Sequence, residues 1–570
     1  MPASTAASEF PRQYVAADDV FAEWPVAERY YRELLERPVH SLAEFEKWMR
    51  DFSETDAVFD EEGTARQIDM TRATDDPVRE QRFLHFVEHV QPHREPWHNK
   101  LRMRFVELAG RFPLPPKRYQ VLERSIRNAI ALFREANIPL QVENAKLAQQ
   151  YQKITGGMTV VFRGEEMTLQ QVDRFLEEPD RATREAAWRA SSDRFLQDAD
   201  AINQLYEKMV RVRHQMARNA DCRDYREFAF KAMERFDYTP EDCLAFHDAI
   251  EKVVVPAAGE LAAQRRAKLG VERLRPWDMA VDPDGQPPLR PFRTDAELAD
   301  GCSRIFHLVD RELGAIFDGL RERDMLDLGS RKGKAPGGYQ ATYAERRMPF
   351  IFMNAVGTER DVRTLLHEGG HAFHTWACRN DPLLAYRGYP TEFAEVASMG
   401  MECLALPFSN VFYGADAARA NKRHFMEIVT FLPYMARVDA MQHFVYTHVD
   451  CGIEARLEEW CRLTRRFGPF VDWSGLERYD QHNWHRKLHF FEAPFYYVEY
   501  GIAQLGALQV WLNSQRDFEQ AVAFYRNGLA LGGSRPLPEL FEAAGCTFDF
   551  SEKTLRPLIA AVMEEIARLR

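Results

Sequence analysis

Apolar and charged residues recur at helical spacing along about the first quarter of the chain. Over residues 18–150, stretches such as DDVFAEWPVAERYYRELLE and PPKRYQVLERSIRNAIALFREAN place apolar residues three and four positions apart, and glycine is scarce. This pattern predicts long antiparallel helices in a bundle-like arrangement. We therefore expect residues 1–155 to form an N-terminal helical region.

The helical pattern stops at Gly156 and gives way to a short alternating one. The run GGMTVVFRGEEMTL predicts a small hairpin with Arg163 and Gly164 at its turn. Helical spacing then returns, and Thr239 followed by Pro240 predicts the start of a long helix, with threonine at the N-cap. Residues 273–290 are rich in proline, aspartate and glycine, and they predict a loop that could border a cleft.

A second region of strands is predicted between residues 332 and 355. The runs QATYA and PFIFMNA are short, apolar and rich in β-forming residues, and glycine and proline bound them. PFIFMNA leads directly into the next helix. It can serve as an edge strand that pairs with an extended peptide, main chain to main chain, or as an ordinary core strand, and the sequence favours neither.

The helix that follows is predicted for residues 358–380. Thr358 and Asp361 form a T-x-x-D capping pattern at its start. Residues at helical spacing form one apolar face: Val362, Leu365, Leu366, Gly369, Phe373 and Trp376. Gly369 and Gly370 lie inside this helix, although each glycine costs a helix roughly 1 kcal/mol relative to alanine. We therefore expect another backbone to pack closely against the helix there.

This helix carries an HExxH motif, which begins at His367 and ends at His371. Histidines at i and i+4 lie one above the other on a helix, about 5–6 Å apart at Cβ, which suits two imidazole ligands on one zinc ion. Glu368 projects from the same turn, where it can take a proton from a water that the metal activates. A random HExxH would occur in only about a few per cent of chains with this many histidines.

His374 lies on the same face one turn later and is a rival ligand by position. Three ligands in a line at i, i+4 and i+7 fit a tetrahedral ion poorly, so we interpret His374 as a supporting or packing histidine. His374 and Ala377 also stand where a three-histidine H-x-x-G-x-x-H motif would have glycine and histidine. The third ligand is therefore expected to be a carboxylate from a following helix.

Glutamates on the next predicted helix can supply that carboxylate. This helix begins at about Pro390, with Thr391 as its cap, and contains Glu392, Glu395 and Glu402. Glu395 and Glu402 are two turns apart on one face. On the residues alone, Glu392 and Glu395 both stay open as the ligand, and Glu402 suits a role in hydrogen-bonding a ligand histidine.

Histidines and tyrosines are concentrated in residues 480–511. Tyr497 and Tyr500 are three residues apart, on one face of a helix that Pro494 would start. Tyrosine and histidine are neutral hydrogen-bond donors near pH 7, as the oxyanion of a peptide-cleaving site requires. Spacing alone favours an aromatic stripe in a core over this role.

Composition narrows the class of protein. The 570 residues are enough for two or three domains, with 45% hydrophobic and 28% charged residues, as in an ordinary soluble protein. A net charge of −12 argues against a nucleic-acid or anionic-membrane surface, and no apolar run is long enough to span a membrane. The N-terminal residues lack the charged and apolar regions that predict a secretory signal, and eight scattered cysteines predict reduced thiols in a cytoplasmic protein. The same scatter argues against a cysteine-based zinc site.

Three motifs in order, HEGGHAFH, TEFAEVASMGMECL and HFFEAPFYYVEYG, resemble the thimet oligopeptidase and oligoendopeptidase F family of zinc metallopeptidases. The likeness covers roughly residue 156 to the C-terminus and is greater to the oligoendopeptidase F branch. It implies a mostly α, two-lobed helical ellipsoid of the gluzincin type, with a deep central channel and a small β-sheet beside the HExxH helix. Residues 1–155 would form part of the channel wall, and residues 156–570 the zinc metallopeptidase catalytic region.

The resemblance also implies roles for residues at the metal. His367, His371 and Glu395 correspond to the family's zinc ligands, and Glu368 to its general base. Glu395 is preferred to Glu392 because the family ligand stands three residues before a serine, as in EVAS here.

A further set of residues corresponds to the family's hydrogen-bond donors in the transition state. His489 corresponds to its histidine, and Tyr497 and Tyr500 correspond to its pair of tyrosines. Tyr496 stays open, because the spacing between the histidine and the tyrosines differs by about a residue between branches of the family.

The function implied is zinc-dependent hydrolysis of internal bonds in short, unstructured peptides, with about one zinc ion per chain. A peptidyl-dipeptidase or carboxypeptidase of the same class would need a fixed cationic group for the substrate's C-terminus, which the sequence does not identify. A non-catalytic peptide-binding helical protein is disfavoured by the intact Glu368 and ligand set. Short peptides are the expected partners, and the oligomeric state is not predicted.

Overall fold

The structure is a computed structural model, and it describes residues 9–335 and 337–569. Most of these residues are helical, as the sequence predicts. The helices are α1 (Trp24–Glu36), α2 (Leu42–Arg72), α3 (Pro77–His85), α4 (Arg94–Arg111), α5 (Pro116–Leu132), α6 (Asn137–Gly156), α7 (Leu169–Asp173), α8 (Arg181–Gln197), α9 (Ala199–Asn219), α10 (Tyr225–Ala232), α11 (Pro240–Leu269), α12 (Asp295–Val309), α13 (Arg311–Glu322), α14 (Glu359–Cys378), α15 (Leu384–Arg387), α16 (Thr391–Ala405), α17 (Asn410–Tyr413), α18 (Ala417–Thr447), α19 (Gly452–Phe467), α20 (Glu477–His482), α21 (Tyr497–Arg516), α22 (Phe518–Ala530), α23 (Leu537–Ala543) and α24 (Glu552–Arg568).

Shorter elements complete the chain. Single 3-10 or π turns lie at Phe86–Val90, Gln91–His93, Arg174–Glu177, Pro276–Asp278, Leu406–Phe408, Gly414–Asp416, Asn483–Arg486 and Leu488–Phe490. The strands are β1 (Thr159–Phe162), β2 (Glu165–Thr168), β3 (Leu326–Gly329), β4 (Tyr339–Tyr343) and β5 (Met348–Ala355). No helix in the described ranges is both long and apolar enough to cross a membrane.

The chain divides into two compact units, each built from three separate segments. Unit 1 contains the residues up to 131, 289–420 and 506–548, and unit 2 contains 132–288, 421–505 and the residues from 549 onward. The predicted boundary at residue 155 falls inside unit 2, at the end of α6. The division into an N-terminal helical region and a catalytic region stays a prediction.

Unit 1 has a large aromatic core between its N-terminal helices. Tyr31, Phe45, Trp48 and Phe105 are fully buried in it. Trp48 Nε1 donates to the carbonyl of Leu34 at 2.7 Å, so the polar atom of the largest ring is satisfied inside the core. The apolar residues of α1, α2 and α4 are therefore buried together.

Unit 1 also contains a three-stranded sheet in the order β3-β5-β4. β5 pairs parallel with β3 and antiparallel with β4. PFIFMNA is therefore the central strand, and its interpretation as an edge for a peptide is wrong because both of its edges already hold a strand. The core-strand alternative is confirmed. The edge strands are β3 and β4, and among the described strands none pairs with the other side of β4, so the QATY run has a free edge.

Unit 2 contains the predicted hairpin and a long capped helix. β1 and β2 pair antiparallel, with Arg163 and Gly164 at the turn in left-handed backbone conformations. α11 begins with a capping box in which Thr239 Oγ1 accepts from the Asp242 N–H at 3.2 Å and Asp242 accepts from the Thr239 N–H at 2.8 Å. Both predictions are confirmed.

The predicted starts of two helices are wrong, by one residue for α16 and by three residues for α21. α16 has Pro390 at its N-cap and no side-chain cap, so Thr391 is the first helical residue rather than the cap. α21 begins at Tyr497, three residues after Pro494. Phe495 just before it has φ +67°, a left-handed conformation that cannot belong to the helix.

Candidate metal and catalytic site

The HExxH helix is fixed at its start by a turn from the central strand of unit 1. Gly357, with φ +92°, follows β5 and reverses the chain. Thr358 and Asp361 then form the predicted capping box, with the carboxylate of Asp361 accepting from the Thr358 N–H at 2.8 Å. The capping sets where the helix begins, and so which face carries the two histidines of the motif.

The paired glycines let α14 contact α16 closely. A Cβ at Gly370 would lie 2.5 Å from the carbonyl oxygen of Ala397 and 2.6 Å from Cα of Ser398. A Cβ at Gly369 would lie 2.5 Å from the ring of Phe306. Real Cβ atoms do not approach backbone this closely, so the prediction of close backbone packing is confirmed. This approach brings the glutamates of α16 to the histidines of α14.

Three side chains meet there with ligand atoms within 4.8 Å of one another: His367, His371 and Glu395. Glu395 Oε2 lies 3.3 Å from Nε2 of His367 and 3.8 Å from Nε2 of His371. Ligands about 2.0–2.1 Å from a tetrahedral zinc ion are separated by about 3.3 Å, so the spacing fits zinc. Glu392, the alternative ligand on α16, is buried but is not one of this group.

Each member of the group is oriented by a second hydrogen bond. Nδ1 of His367 is 2.7 Å from Glu402 Oε1, the role expected for that glutamate. The ring of His371 hydrogen-bonds to the backbone of Ala394. Ser398 Oγ donates to Glu395 Oε2 at 2.9 Å. Such outer contacts fix the tautomer and direction of metal ligands, so the residues present fit a zinc ion.

The electrostatics of the group favour a cation. Burial acts to lower the pKa of His367, but the carboxylates of Glu395 and Glu402 outweigh it and hold that pKa well above its usual range. Burial acts to raise the pKa of Glu395, but the hydrogen bond and charge of His367 lower it to about 2. Burial lowers the pKa of His371 to about 4. Glu395 is thus an ionised carboxylate and His371 a neutral imidazole, the forms in which these side chains bind metal, whereas the two carboxylates beside His367 favour positive charge at that position.

Glu368 lies beside this group without belonging to it. Its side chain is buried, and burial raises the pKa of its carboxyl to about 7. The backbone of Gln340, in β4, hydrogen-bonds to it. The free-edge strand of the sheet therefore contacts the candidate base, a contact that no spacing rule in the sequence could indicate.

His374 is a packing residue. Its ring is fully buried and stacks on Tyr389, with ring centroids 3.5 Å apart. Neither ring nitrogen has a hydrogen-bond partner within the described ranges, and burial holds the pKa of His374 well below its usual range. The interpretation as a non-ligand histidine is confirmed.

A separate cluster in unit 2 contains the predicted donors. The ring of His489 lies 4.8 Å from that of Tyr497 and 6.1 Å from that of Tyr500. Tyr496 is 6.2 Å from His489 and 5.2 Å from Tyr500. Tyr497 is 5% exposed, whereas Tyr496 is less deeply buried. The structure thus brings all four rings together, and the choice between Tyr496 and Tyr497 stays a prediction.

Lys487 belongs to the same cluster and was not identified from the sequence. Its ammonium lies 4.1 Å from the ring centre of Tyr497 and 5.7 Å from that of Tyr434. Burial lowers the pKa of Lys487 to about 8, and burial followed by the charge of Lys487 lowers that of His489 to about 4. His489 is therefore a neutral imidazole near pH 7, the form that the donor role requires.

Comparisons with known proteins agree with the motifs. Residues 174–558 match the sequence profile of peptidase family M3, which is more than half of the chain. The chain is 23% identical to an oligoendopeptidase F homolog of Borreliella burgdorferi over 381 residues, which are 61% of this chain and 62% of that relative. The match thus spans less than two thirds of the curated relative's length.

Solved structures resemble the chain over most of its length. A structure described as PZ peptidase A with an inhibitor is 27% identical and superposes with a TM-score of 0.86, covering 95% of this chain and 97% of that one. A structure described as an oligoendopeptidase F of Bacillus anthracis is 25% identical with a TM-score of 0.82, covering 98% and 99%. The helical fold is therefore shared with proteins of this kind.

Proposed function

Because the chain belongs to peptidase family M3, we propose that it is a zinc-dependent endopeptidase that hydrolyses internal bonds of short, unstructured peptides. The observation that carries the proposal is the convergence of two imidazoles and one carboxylate beside a buried glutamate that is not a ligand. The names of the similar proteins support the substrate class.

In this proposal His367, His371 and Glu395 hold the metal, and Glu368 moves the proton. A bound zinc ion supplies Lewis acidity and lowers the pKa of water towards about 7. Glu368 accepts the proton of the attacking water and then delivers it to the amine that leaves. Burial of Glu368 keeps bulk water from competing for that proton. Glu402 and Ser398 hold the ligands in place while the charge at the reacting carbonyl changes.

The free edge of β4 is the proposed binding strand for the substrate. A peptide that pairs with it would lie along the strand whose residue Gln340 hydrogen-bonds to Glu368. Main-chain pairing requires an extended substrate, so a stable folded protein would be a poor one. The donor roles of His489, Tyr497 and Tyr500 rest on the family resemblance and stay part of the proposal.

Glu368→Gln tests the function directly. We expect this variant to keep its fold and its zinc but to lose kcat by several orders of magnitude, because amide cannot accept the proton. Glu519→Gln, an exposed glutamate of α22, is the matched control and should behave as wild type. Near wild-type turnover by Glu368→Gln, measured with a quenched fluorescent peptide, would contradict the role of Glu368 and with it this mechanism.

Blocked peptides separate an endopeptidase from the exopeptidase alternative. One peptide of roughly ten residues is digested in its free, N-acetylated and C-amidated forms, beside a folded protein. We expect similar cleavage of internal bonds in all three forms and none of the folded protein. Strict dependence on a free C-terminus would instead indicate a peptidyl-dipeptidase or carboxypeptidase. Zinc binding without any cleavage would indicate a peptide-binding protein.

A further inference from the structure

Unit 2 contains a second group of metal-ligating side chains, on α11 and α18. Cys243 and His247 are one turn apart on α11, and Asp439 and His443 are one turn apart on α18. All four are buried: the exposed fraction is 0% for Cys243, His247 and Asp439 and 3% for His443. Cysteine and histidine are common in cores, but an aspartate without solvent needs a counter-charge.

Three of these side chains converge on the carboxylate of the fourth, Asp439. Ligand atoms of Cys243, Asp439 and His443 lie within 4.8 Å of one another. Oδ2 of Asp439 lies 2.9 Å from Nε2 of His247 and 3.2 Å from Nε2 of His443. Oδ1 of Asp439 has no hydrogen-bond partner within the described ranges, and neither has Nδ1 of His247. The two imidazoles thus share one oxygen and leave the other buried and unsatisfied, which is costly.

The surroundings of the group are mostly aromatic. Rings of Phe230 and Phe495 lie 6.1 and 5.3 Å from that of His443. Arg226 also contacts the group: its Nη1 is 3.4 Å from Nδ1 of His443. The group is therefore a buried carboxylate with imidazole and thiol donors around it.

We propose that Cys243, Asp439 and His443 bind a structural zinc ion, with His247 as the fourth ligand. Two imidazoles, a thiolate and a carboxylate are ligands that zinc accepts in closed tetrahedral sites. Thiolate and carboxylate together balance the charge of Zn²⁺, so the buried group is neutral once the metal is bound. Metal on Nε2 of His443 leaves the proton on Nδ1, so the long contact with Arg226 opens on binding.

This site joins two distant parts of the chain. Ligand pairs of the forms C-x-x-x-H and D-x-x-x-H lie almost 200 residues apart, and each alone is unremarkable in sequence. The scatter of cysteines along the sequence therefore argues against a cysteine-containing zinc site, and the proposed site replaces that interpretation. The ion would hold α11 to α18 and stabilise unit 2, since ligands of a structural site are ordered only in the folded state.

Zinc content measures the site independently of catalysis. Protein purified in the presence of zinc, gel-filtered and analysed by elemental mass spectrometry should hold about two zinc ions per chain. His367→Ala, which disables the candidate catalytic site, should retain about one, and Cys243→Ser should also retain about one. The proposal would be overturned if wild type holds about one zinc ion per chain and His367→Ala holds none.

Cobalt substitution identifies the thiolate. Co²⁺ bound to a cysteine sulfur has a near-ultraviolet charge-transfer band that a site of histidine and glutamate lacks. We expect the band in wild type, in His367→Ala and in the control Cys222→Ser, another fully buried cysteine of unit 2, but not in Cys243→Ser. If Cys243→Ser does not fold, the spectrum of His367→Ala alone tests the site. Absence of the charge-transfer band in His367→Ala, with the concentrations of cobalt and protein both measured, would overturn the proposed site.

Discussion

In the candidate catalytic group, two carboxylates contact the imidazole of His367. Glu395 Oε2 is 3.3 Å from Nε2 of His367, and Glu402 Oε1 is 2.7 Å from its Nδ1. The contact at Nδ1 favours that nitrogen as the donor, which leaves Nε2 for the proposed metal. The tautomer that a zinc ligand needs is therefore favoured by α16, the helix that also carries Glu395, the proposed third ligand.

The tyrosine cluster gives a test at single-residue resolution. Tyr497→Phe removes one hydroxyl and little volume, so it should lower kcat by about 10²–10³ with little change in KM. Tyr434→Phe is the matched control, because the ring of Tyr434 packs 6.0 Å from that of Tyr497 and has no predicted donor role. Steady-state kinetics on one peptide provides both constants. If Tyr496→Phe has the large effect instead, the assignment is off by one residue.

Lys487 gives a prediction about pH. Burial lowers its pKa to about 8, below the ordinary 10.5, so the unfolded chain binds this proton more tightly than the folded one. The penalty to stability is full below pH 8 and disappears as pH rises towards about 10.5. Lys487→Met should therefore raise the free energy of unfolding at pH 7 by on the order of 1–3 kcal/mol, with little effect near pH 10.5.

Denaturation at both pH values checks this prediction. Lys553→Met, at an exposed position of α24, is the control and should leave the midpoint unchanged at both pH values. A loss of stability in Lys487→Met at pH 7 would mean that the contact of its ammonium with the ring of Tyr497 outweighs the cost of burying the charge.

Residues of the site differ in how far the sequence could predict them. His367, Glu368 and His371 share one helical turn, so spacing alone places them together. Glu395 required the family pattern, because Glu392 is equally reachable on spacing. Gln340 contacts Glu368 through its backbone, and Lys487 lies over the ring of Tyr497 only in the folded chain. Neither contact therefore leaves a pattern in the sequence.

At the scale of elements, the helix starts that carry a capping box could be predicted from the sequence. Capping boxes fix the starts of α11 and α14. β3 was missed, because its four residues LDLG are too short for an alternating pattern and its pairing with β5 is parallel and non-local. The same omission made β5 look like a possible edge strand. A strand's place in a sheet depends on partners that its own sequence does not contain.

Gly370→Ala tests the contact between α14 and α16. The added Cβ meets the backbone of Ala397 and Ser398, which cannot rotate away as a side chain can. We expect unfolding to be easier by about 1–3 kcal/mol and zinc to be held less tightly, since Glu395 moves with α16. Gly110→Ala in α4 is the control: its Cβ meets nothing within 4 Å, and it should stabilise by up to about 1 kcal/mol. Unchanged zinc affinity in Gly370→Ala, by chelator competition, would contradict the role of this contact.

At the scale of the whole molecule, neither unit is a continuous piece of chain. Six segments alternate between the units, which gives five connections. Unit 2 is completed by the C-terminal helix α24, which packs on α11 from the middle of the sequence. Phe550, just before α24, lies 5.5 Å from Phe246 and 5.9 Å from Tyr238, ring centre to ring centre. This interleaving could not be predicted from the sequence, because a helix's apolar stripe does not specify which distant helix covers it.

Deletion of residues 549–570 tests this dependence. The buried aliphatic side chains of α24 are Leu555, Leu558, Ile559, Val562 and Ile566. Their burial contributes on the order of 10 kcal/mol, comparable with the whole stability of a domain. We expect amides of α11 to lose protection from hydrogen exchange, while those of α14 in unit 1 keep theirs. Unchanged protection of α11, followed by mass spectrometry, would show that α24 is dispensable.

The packing of α16 has a consequence for the time at which the proposed metal site is completed during synthesis. Its residue Ala397 accepts a hydrogen bond from the hydroxyl of Tyr525 at 2.6 Å, and its Phe393 packs 5.7 Å from Phe541. These partners come from the segment 506–548. The last residue of that segment is synthesised 146 residues after Glu402 (548 − 402). At about 5–20 residues per second, that interval is roughly 7–30 s. Until then the helix that carries Glu395, the proposed third ligand, lacks these neighbours, so a growing chain would display the HExxH motif well before the proposed metal site is complete.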